Sequence, residues 1–276
     1  MHPLQPILTT DLFPELHNSL MALLRELSPE EWQRPTACGS WNVRDVVVHL
    51  LGDDIGKLSA ARDGYHAGWF AVNSWQELVT AINTANEQWV RALTRISPQL
   101  LCEFLALTGP QVAAYFTTLD PDAIGGPVDW AGPAPAPVWL DLAREYTERW
   151  HHQQHIRDAV GRPGMKEPRY LTPVLDTFLR ALPHTFRTAE AAPATLLKLQ
   201  ITGEAGGEWY LYRHANGWQL YADVAQEATT IVTMDQDHAW RLFTRGIDGA
   251  AARAALHITG NEALGLHLLQ AVSIIA

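Results

Sequence analysis

Histidine and acidic side chains in two distant stretches have the types and spacing of a metal site. His49 stands inside an apolar run, 46–51, where an imidazole costs free energy unless it has a partner. Much later in the chain, Glu148 and His152 are four residues apart, so both project from one face of a helix. Helical bundles build metal sites from such pairs plus a ligand from another helix. Zinc accepts imidazole nitrogen and carboxylate oxygen together, and three protein ligands leave one position open for chemistry.

The same stretch offers a second pair of candidate ligands. His151 and His155 are also four residues apart, and with His49 they would form a three-histidine site. His155 in addition lies seven residues after Glu148 and three after His152, which places it on their face of the helix. An imidazole there titrates near neutral pH and could carry protons. The spacing therefore predicts a site on these helices and leaves the choice of ligand pair open.

Cap residues and apolar periodicity predict a bundle of about four main helices in the first half of the chain. Within the His49 helix, Asp53 lies one turn further on and could orient the ring. The proline-rich segment 120–137 is predicted to be a loop, and the helix that carries Glu148 follows it and ends at Gly161. The other predicted features are a helix over 11–27, a short helix capped by Ser28, Ser40 as the cap of the His49 helix, Ser74 opening a helix to about residue 96, and Ser97-Pro98 starting one or two shorter helices.

The second half of the chain changes character, from helical periodicity to alternation. After a helix near 173–182, residues 195–202 alternate between apolar and polar, and Asn216-Gly217 is typical of a tight hairpin. The remaining predicted elements are strands over 208–213, 218–221, 229–234 and 257–260, a helix that opens at Asp237, and a closing helix over 262–273. The sequence predicts a mostly helical α+β protein, with a four-helix bundle followed by a small α+β domain.

Composition narrows the classes of function. The formal net charge of −10 in 276 residues argues against general nucleic-acid binding, which needs a basic surface. We find neither an apolar run of bilayer length nor a signal-peptide pattern, so we expect a cytoplasmic protein without a membrane partner. Cys38 and Cys102 are the two cysteines, which suits a reducing compartment. Neither lies in the two stretches above, so a thiol in the chemistry is expected to come from outside the chain.

Three segments resemble a known family. Gly39-x-Trp41-x-Val43-Arg44-Asp45-x-x-x-His49-Leu50 resembles the N-terminal signature of the mycothiol-dependent maleylpyruvate isomerase family, within the wider DinB-like superfamily. Glu148-x-x-x-His152-x-x-His155-Ile156-Arg157-x-Ala159-Val160-Gly161 resembles its second signature. Trp240-x-Leu242-Phe243-Thr244-Arg245-Gly246, with Ile258-Thr259-Gly260-Asn261, resembles its C-terminal domain, which is similar to sterol carrier protein 2. The resemblance spans nearly the whole chain and keeps the order of the segments.

The resemblance implies a fold and a set of site residues. It implies a DinB-like metal-binding bundle over 1–165 and an α+β domain similar to sterol carrier protein 2 over 166–276. The family's ligand histidine lies four residues before Ile-Arg, which selects His152, with Glu148 and His49, as the metal ligands. His155 stands where the family usually has aspartate, and we expect it to have a catalytic role. Arg241 and Arg245 are expected to bind an anionic group of the thiol cofactor, and Arg245 to act in catalysis.

The resemblance also implies an activity. The expected protein is a metal-dependent enzyme, with zinc the first choice of ion, that uses mycothiol or an equivalent low-molecular-weight thiol. It would be an isomerase or a thiol S-transferase that acts on a small electrophile, as a monomer or homodimer. In such chemistry the metal lowers the pKa of the thiol, whose thiolate then adds to the substrate. Two alternatives stay open: a metal-dependent hydrolase on the same bundle, and a non-enzymatic protein that binds an apolar ligand and holds a structural metal.

Overall fold

The structure is a computed structural model that describes residues 1–66 and 74–274. It divides into two compact units. The helical unit comprises 145–165 and the described part of 8–121. The sheet unit comprises 1–7, 122–144 and the described residues from Lys166 onward.

In the described part of the chain, five helices supply the helical unit, and their order follows the sequence prediction closely. Between them lie a short 3₁₀ turn, Glu31–Gln33, and a π-helical turn, Leu58–Arg62, that extends the second helix. The last helix contributes residues 138–144 to the sheet unit and the rest to the helical unit. The helices are α1 (Leu12–Arg25), α2 (Val43–Lys57), α3 (Trp75–Ala92), α4 (Pro98–Phe116) and α5 (Val138–Val160).

The helix starts test the predicted caps. Ser74 and Ser97 cap α3 and α4 through their side chains, as predicted. The prediction that Ser40 caps α2 is wrong, because Asn42 forms a reciprocal capping box with Asp45. The prediction of one or two shorter helices after Ser97 understates α4, which runs for 19 residues with Pro110 inside it.

The core of the helical unit is built around α2. Apolar residues surround this helix, so it buries several faces instead of a single stripe. Val46, Val47 and Val48 are all fully buried, and they pack with residues of α1, α4 and α5. Trp89 of α3 donates its indole N–H to the carbonyl oxygen of Val48 at 2.8 Å. This rigid packing fixes the turn of α2 that carries His49.

The sheet unit contains a mixed six-stranded sheet in the order β1-β6-β5-β4-β7-β8. The pairing of β4 with β7 is parallel and the others are antiparallel. The strands of this sheet are β1 (His2–Pro3), β4 (Leu196–Thr202), β5 (Gly207–His214), β6 (Gly217–Asp223), β7 (Thr230–Asp235) and β8 (His257–Gly260). The helices of the unit are α6 (Pro168–Leu179), α7 (Leu182–Thr185), α8 (Gln236–Phe243), α9 (Gly249–Ala255) and α10 (Glu262–Leu266).

The predicted α+β class is confirmed, and the differences are local. The prediction that 120–137 is only a loop is wrong, because it holds two paired short strands, β2 (Ile124–Pro127) and β3 (Pro135–Pro137). Helix α9 was not predicted, and the closing helix is shorter than predicted. Division of the chain into domains at 165/166 stays a prediction. Among the described residues, no helix is both long and apolar enough to cross a membrane.

Candidate metal centre

The three predicted ligands from α2 and α5 come together in the helical unit. Nε2 of His49 lies 3.2 Å from Oε1 of Glu148, and Nε2 of His152 lies 3.0 Å from the same oxygen. The rings of the two histidines meet edge to face, with centroids 4.6 Å apart. Both histidines are buried, whereas the Glu148 side chain is 27% exposed. Glu148 therefore connects the buried imidazoles to solvent.

Local packing explains why α5 presents these groups. Tyr146 and Trp150 are fully buried on the side of α5 that faces away from Glu148, and the Trp150 indole donates to the Met165 carbonyl oxygen at 2.7 Å. This anchoring fixes the rotation of the helix about its axis. Glu148 and His152, four residues apart, then project together toward α2.

The donor set fits a divalent metal. Zinc bound at about 2.0–2.1 Å in a tetrahedron separates its nitrogen and oxygen ligands by about 3.3 Å, close to the 3.0 and 3.2 Å seen here. Nε2 of His49, Oε1 of Glu148 and Nε2 of His152 converge within 4.8 Å of one another. A buried oxygen nearby, Oδ2 of Asp53, has no hydrogen-bond partner among the described residues and lies 3.4 Å from Nε2 of His49. A cation would satisfy this concentration of acceptors.

The protonation states also suit metal binding. Burial alone would raise the pKa of the Glu148 carboxyl, but the neighbouring imidazoles of His151 and His152 and its hydrogen bonds hold the pKa well below the usual value. Burial, together with His151, lowers the pKa of His152 to about 3. Glu148 is thus ionised and His152 neutral at ordinary pH, which are the forms that bind metals.

His49 behaves differently from His152. Burial lowers its pKa, but the carboxylates of Asp53 and Glu148 outweigh burial, so the pKa is raised overall. Burial raises the pKa of Asp53 to about 6 against the opposing effect of His49. The two carboxylates therefore favour the protonated form of His49 in the metal-free protein. The Trp41 ring, whose centroid is 5.3 Å from that of His49, covers the imidazole and donates its N–H to Glu87 at 3.1 Å.

A network of buried charges lies next to the centre. Arg149, the residue after Glu148, pairs with Asp54 at 3.1 Å and with Glu145 at 2.8 Å. Lys57 pairs with Glu145 at 2.8 Å, and the Thr108 hydroxyl donates to Asp54 at 2.8 Å. Burial would lower the pKa of the guanidinium, but the surrounding carboxylates raise it. The network holds α2 and α5 together, one residue from the predicted ligand Glu148 and five residues from the predicted ligand His49.

The alternative ligand pair, His151 and His155, makes contacts other than those of the His49–Glu148–His152 group. Nδ1 of His151 lies 2.9 Å from the Thr147 carbonyl oxygen, an acceptor that makes this nitrogen the ring's N–H donor. Within 1–66 and 74–274, the groups of donor atoms close enough to share an ion do not include His151. Nδ1 of His155 lies 2.8 Å from Sγ of Cys38. His155 thus contacts a residue that the sequence analysis set aside.

Cys38 is the neighbour of the site that sequence reasoning missed. Its Sγ also lies 3.7 Å from Nδ1 of His152. Burial raises the pKa of the thiol to about 12, so the side chain is a neutral thiol and a poor nucleophile. The available signal was its position directly before Gly39, the first residue of the N-terminal signature.

The two predicted arginines lie in the sheet unit, on and just after α8. Arg241 donates to the Asp237 carbonyl oxygen at 3.1 Å, and its guanidinium stacks on Trp240 at 4.3 Å from the ring centroid. Arg245 is exposed and has a φ of 54°, a left-handed conformation that is uncommon for a residue with a side chain. Binding of a cofactor by either arginine stays a prediction.

Comparisons with known proteins agree with this architecture. The family model described as "Mycothiol maleylpyruvate isomerase N-terminal domain" matches residues 13–157, more than half of the chain. A solved structure of a mutant mycothiol-dependent maleylpyruvate isomerase is 10% identical, with 91% of each chain covered and a TM-score of 0.54. A second structure of a mycothiol-dependent maleylpyruvate isomerase is 11% identical, with 84% of this chain and 86% of that one covered and a TM-score of 0.52. At these low identities, the TM-scores and coverage show a shared fold and nothing further. No curated protein matches the sequence.

Proposed function

The chain belongs to the mycothiol maleylpyruvate isomerase family, and we propose that it is a metal-dependent enzyme that uses a low-molecular-weight thiol of the mycothiol type. It would isomerise a small electrophile or transfer the thiol to it. The observation that supports this most strongly is the contact of one Glu148 oxygen with Nε2 of both His49 and His152, at 3.2 and 3.0 Å. Family membership supports the thiol, and the donor set supports a divalent cation.

Three residues would bind the metal in this enzyme. His49, Glu148 and His152 would hold the cation, with zinc as the first choice. The bound cation would supply the charge that lowers the pKa of a thiol. The ionised Glu148, whose side chain is 27% exposed, would offset that charge.

Other side chains would position groups and move protons. The buried ring of His155, whose centroid lies 5.4 Å from that of His152, is our proposed proton carrier. Trp41 would shield His49 from water on one side. Arg241 and Arg245 are the proposed contacts of an anionic group on the thiol, and Arg245 is also proposed to act in catalysis.

Joint dependence on metal and thiol tests the proposal. The protein is assayed against a panel of small cis-configured unsaturated carboxylates and other electrophiles, in metal-loaded and metal-stripped forms, each with and without mycothiol, bacillithiol or glutathione. We expect turnover only when metal and thiol are both present. Glu148→Gln should abolish it, while His257→Gln, at an exposed position in the sheet unit, should not. Equal turnover without any thiol would contradict the proposal and favour a hydrolase.

A further inference from the structure

A second group of donor atoms adjoins the candidate metal centre. Sγ of Cys38 lies 2.8 Å from Nδ1 of His155 and 3.7 Å from Nδ1 of His152. One ligand atom from each of Cys38, His152 and His155 lies within 4.8 Å of the other two. His152 and His155 are buried and Cys38 is half-buried. One sulfur and two imidazole nitrogens thus converge in a place largely shielded from water.

The loop before α2 fixes the cysteine in this position. The Cys38 amide donates to the Thr36 hydroxyl at 3.1 Å, and the Cys38 carbonyl oxygen accepts from the Trp41 amide at 3.0 Å. Gly39 has a φ of 59°, so the turn needs a residue that tolerates the left-handed region. The Thr36 hydroxyl donates in turn to the Trp41 carbonyl oxygen at 2.8 Å. The backbone therefore presents Cys38 to α5 in a defined geometry.

We propose that Cys38, His155 and Nδ1 of His152 form a second cation site, selective for soft, thiophilic ions such as Cu⁺ or Cd²⁺. Sulfur with imidazole nitrogen favours such ions over Mg²⁺ or Ca²⁺, which prefer oxygen. Bonds of the lengths that zinc makes, about 2.3 Å to sulfur and 2.0–2.1 Å to nitrogen, separate the two ligand atoms by about 3.5–3.8 Å. The Cys38–His152 distance of 3.7 Å already fits. The Cys38–His155 distance of 2.8 Å must open by about 0.8 Å to reach this range.

His152 connects this site to the first one. Its Nε2 contacts Glu148 at 3.0 Å, and its Nδ1 faces Cys38. A neutral imidazole has one lone-pair nitrogen and one N–H, so the ring can bind an ion on one side only while it keeps its proton. A soft ion at Cys38 therefore removes His152 from the first site. This competition between the two ions for His152 depends on the metal centre proposed above. The existence of the second site does not depend on it.

Titration with Cu⁺ under anaerobic conditions tests both parts. Cu⁺ is added to protein loaded with Zn²⁺. Ultraviolet absorption measures sulfur-to-metal charge transfer, and a chromogenic chelator measures the zinc that is released. The wild type should show the sulfur band at one equivalent of Cu⁺, and its zinc affinity should fall by about tenfold or more, within the usual range of coupling between sites. Cys102→Ser should behave as the wild type.

Matched variants separate the possible failures. Cys38→Ser should lose the sulfur band and keep its zinc when Cu⁺ is added, and His155→Ala should bind Cu⁺ more weakly. His49→Ala should lose the first-site zinc but keep the Cys38-dependent band, which distinguishes this site from the proposed enzyme centre. A band that persists in Cys38→Ser, or no band in the wild type, would overturn the site. Full zinc retention in the Cu⁺-saturated wild type would overturn the competition for His152.

Discussion

Replacement of Arg149 by methionine should destabilise the protein strongly, because this guanidinium neutralises two buried carboxylates. It contacts Asp54 at 3.1 Å and Glu145 at 2.8 Å, and the side chains of the Arg149–Glu145 pair are only 14% and 8% exposed. Methionine preserves much of the length and the contact with the Phe116 ring, over which the guanidinium lies 5.7 Å from the centroid. The substitution thus removes the charge with little change in packing.

The expected loss is about 3–5 kcal/mol in the free energy of unfolding, the usual cost of leaving one partner of a buried ion pair uncompensated. Lys57 and the Thr108 hydroxyl remain beside the two carboxylates and limit the loss to this range. At about 2–4 °C for each kcal/mol in a chain of this size, the melting temperature should fall by about 6–20 °C.

Urea and thermal unfolding, followed by circular dichroism, measure the effect. Arg91→Met is the matched control, because Arg91 pairs with Glu87 at the same spacing and the same 2.8 Å distance, but with side chains 77% and 41% exposed. The control should lose less than about 0.5 kcal/mol. A loss below about 1 kcal/mol for Arg149→Met, or equal losses for both variants, would show that burial does not make this ion-pair network important for stability.

Two further predictions concern α2. Because the pKa of His49 is raised, the metal-free protein should lose stability as pH rises from about 6.5 through the folded pKa. Metal affinity, measured by chelator competition, should increase over the same range because His49 loses its competing proton. His49→Gln should remove both trends, and a metal-free protein that gains stability with rising pH would contradict the raised pKa. Gly52→Ala should destabilise the protein by about 1–3 kcal/mol in urea unfolding, because the new Cβ would lie 2.7 Å from Nε1 of Trp89. Gly56→Ala has open space around it in the same helix and should stabilise the protein by about 0.5–1 kcal/mol. Equal effects of the two substitutions would show that the Trp89 contact is unimportant.

Local sequence signals were sufficient for most of the fold. Helix periodicity and the caps at Ser74 and Ser97 located α3 and α4, and Asn216-Gly217 located the turn between β5 and β6. Spacing on one helix brought Glu148 and His152 together, because side chains four residues apart share a helix face in any context.

The remainder depended on contacts that the local sequence patterns do not encode. The hairpin of β2 and β3 forms within a proline-rich segment that has no alternating pattern. Cys38 lies outside every local pattern, and its proximity to His155 arises from a loop that folds onto α5, more than a hundred residues away. Asn42 displaced Ser40 as the cap because the turn at Cys38–Trp41 delays the start of α2.

We propose that one divalent ion is held by His49, Glu148 and His152. Elemental analysis of purified variants measures the bound metal, with zinc supplied during expression and excess metal removed. We expect about one equivalent of metal in the wild type and in His151→Ala, and little in His49→Ala, Glu148→Gln and His152→Ala. Circular dichroism of each variant controls for folding. Full metal content in a folded His152→Ala protein, with loss in His151→Ala, would show that these three residues do not form the site.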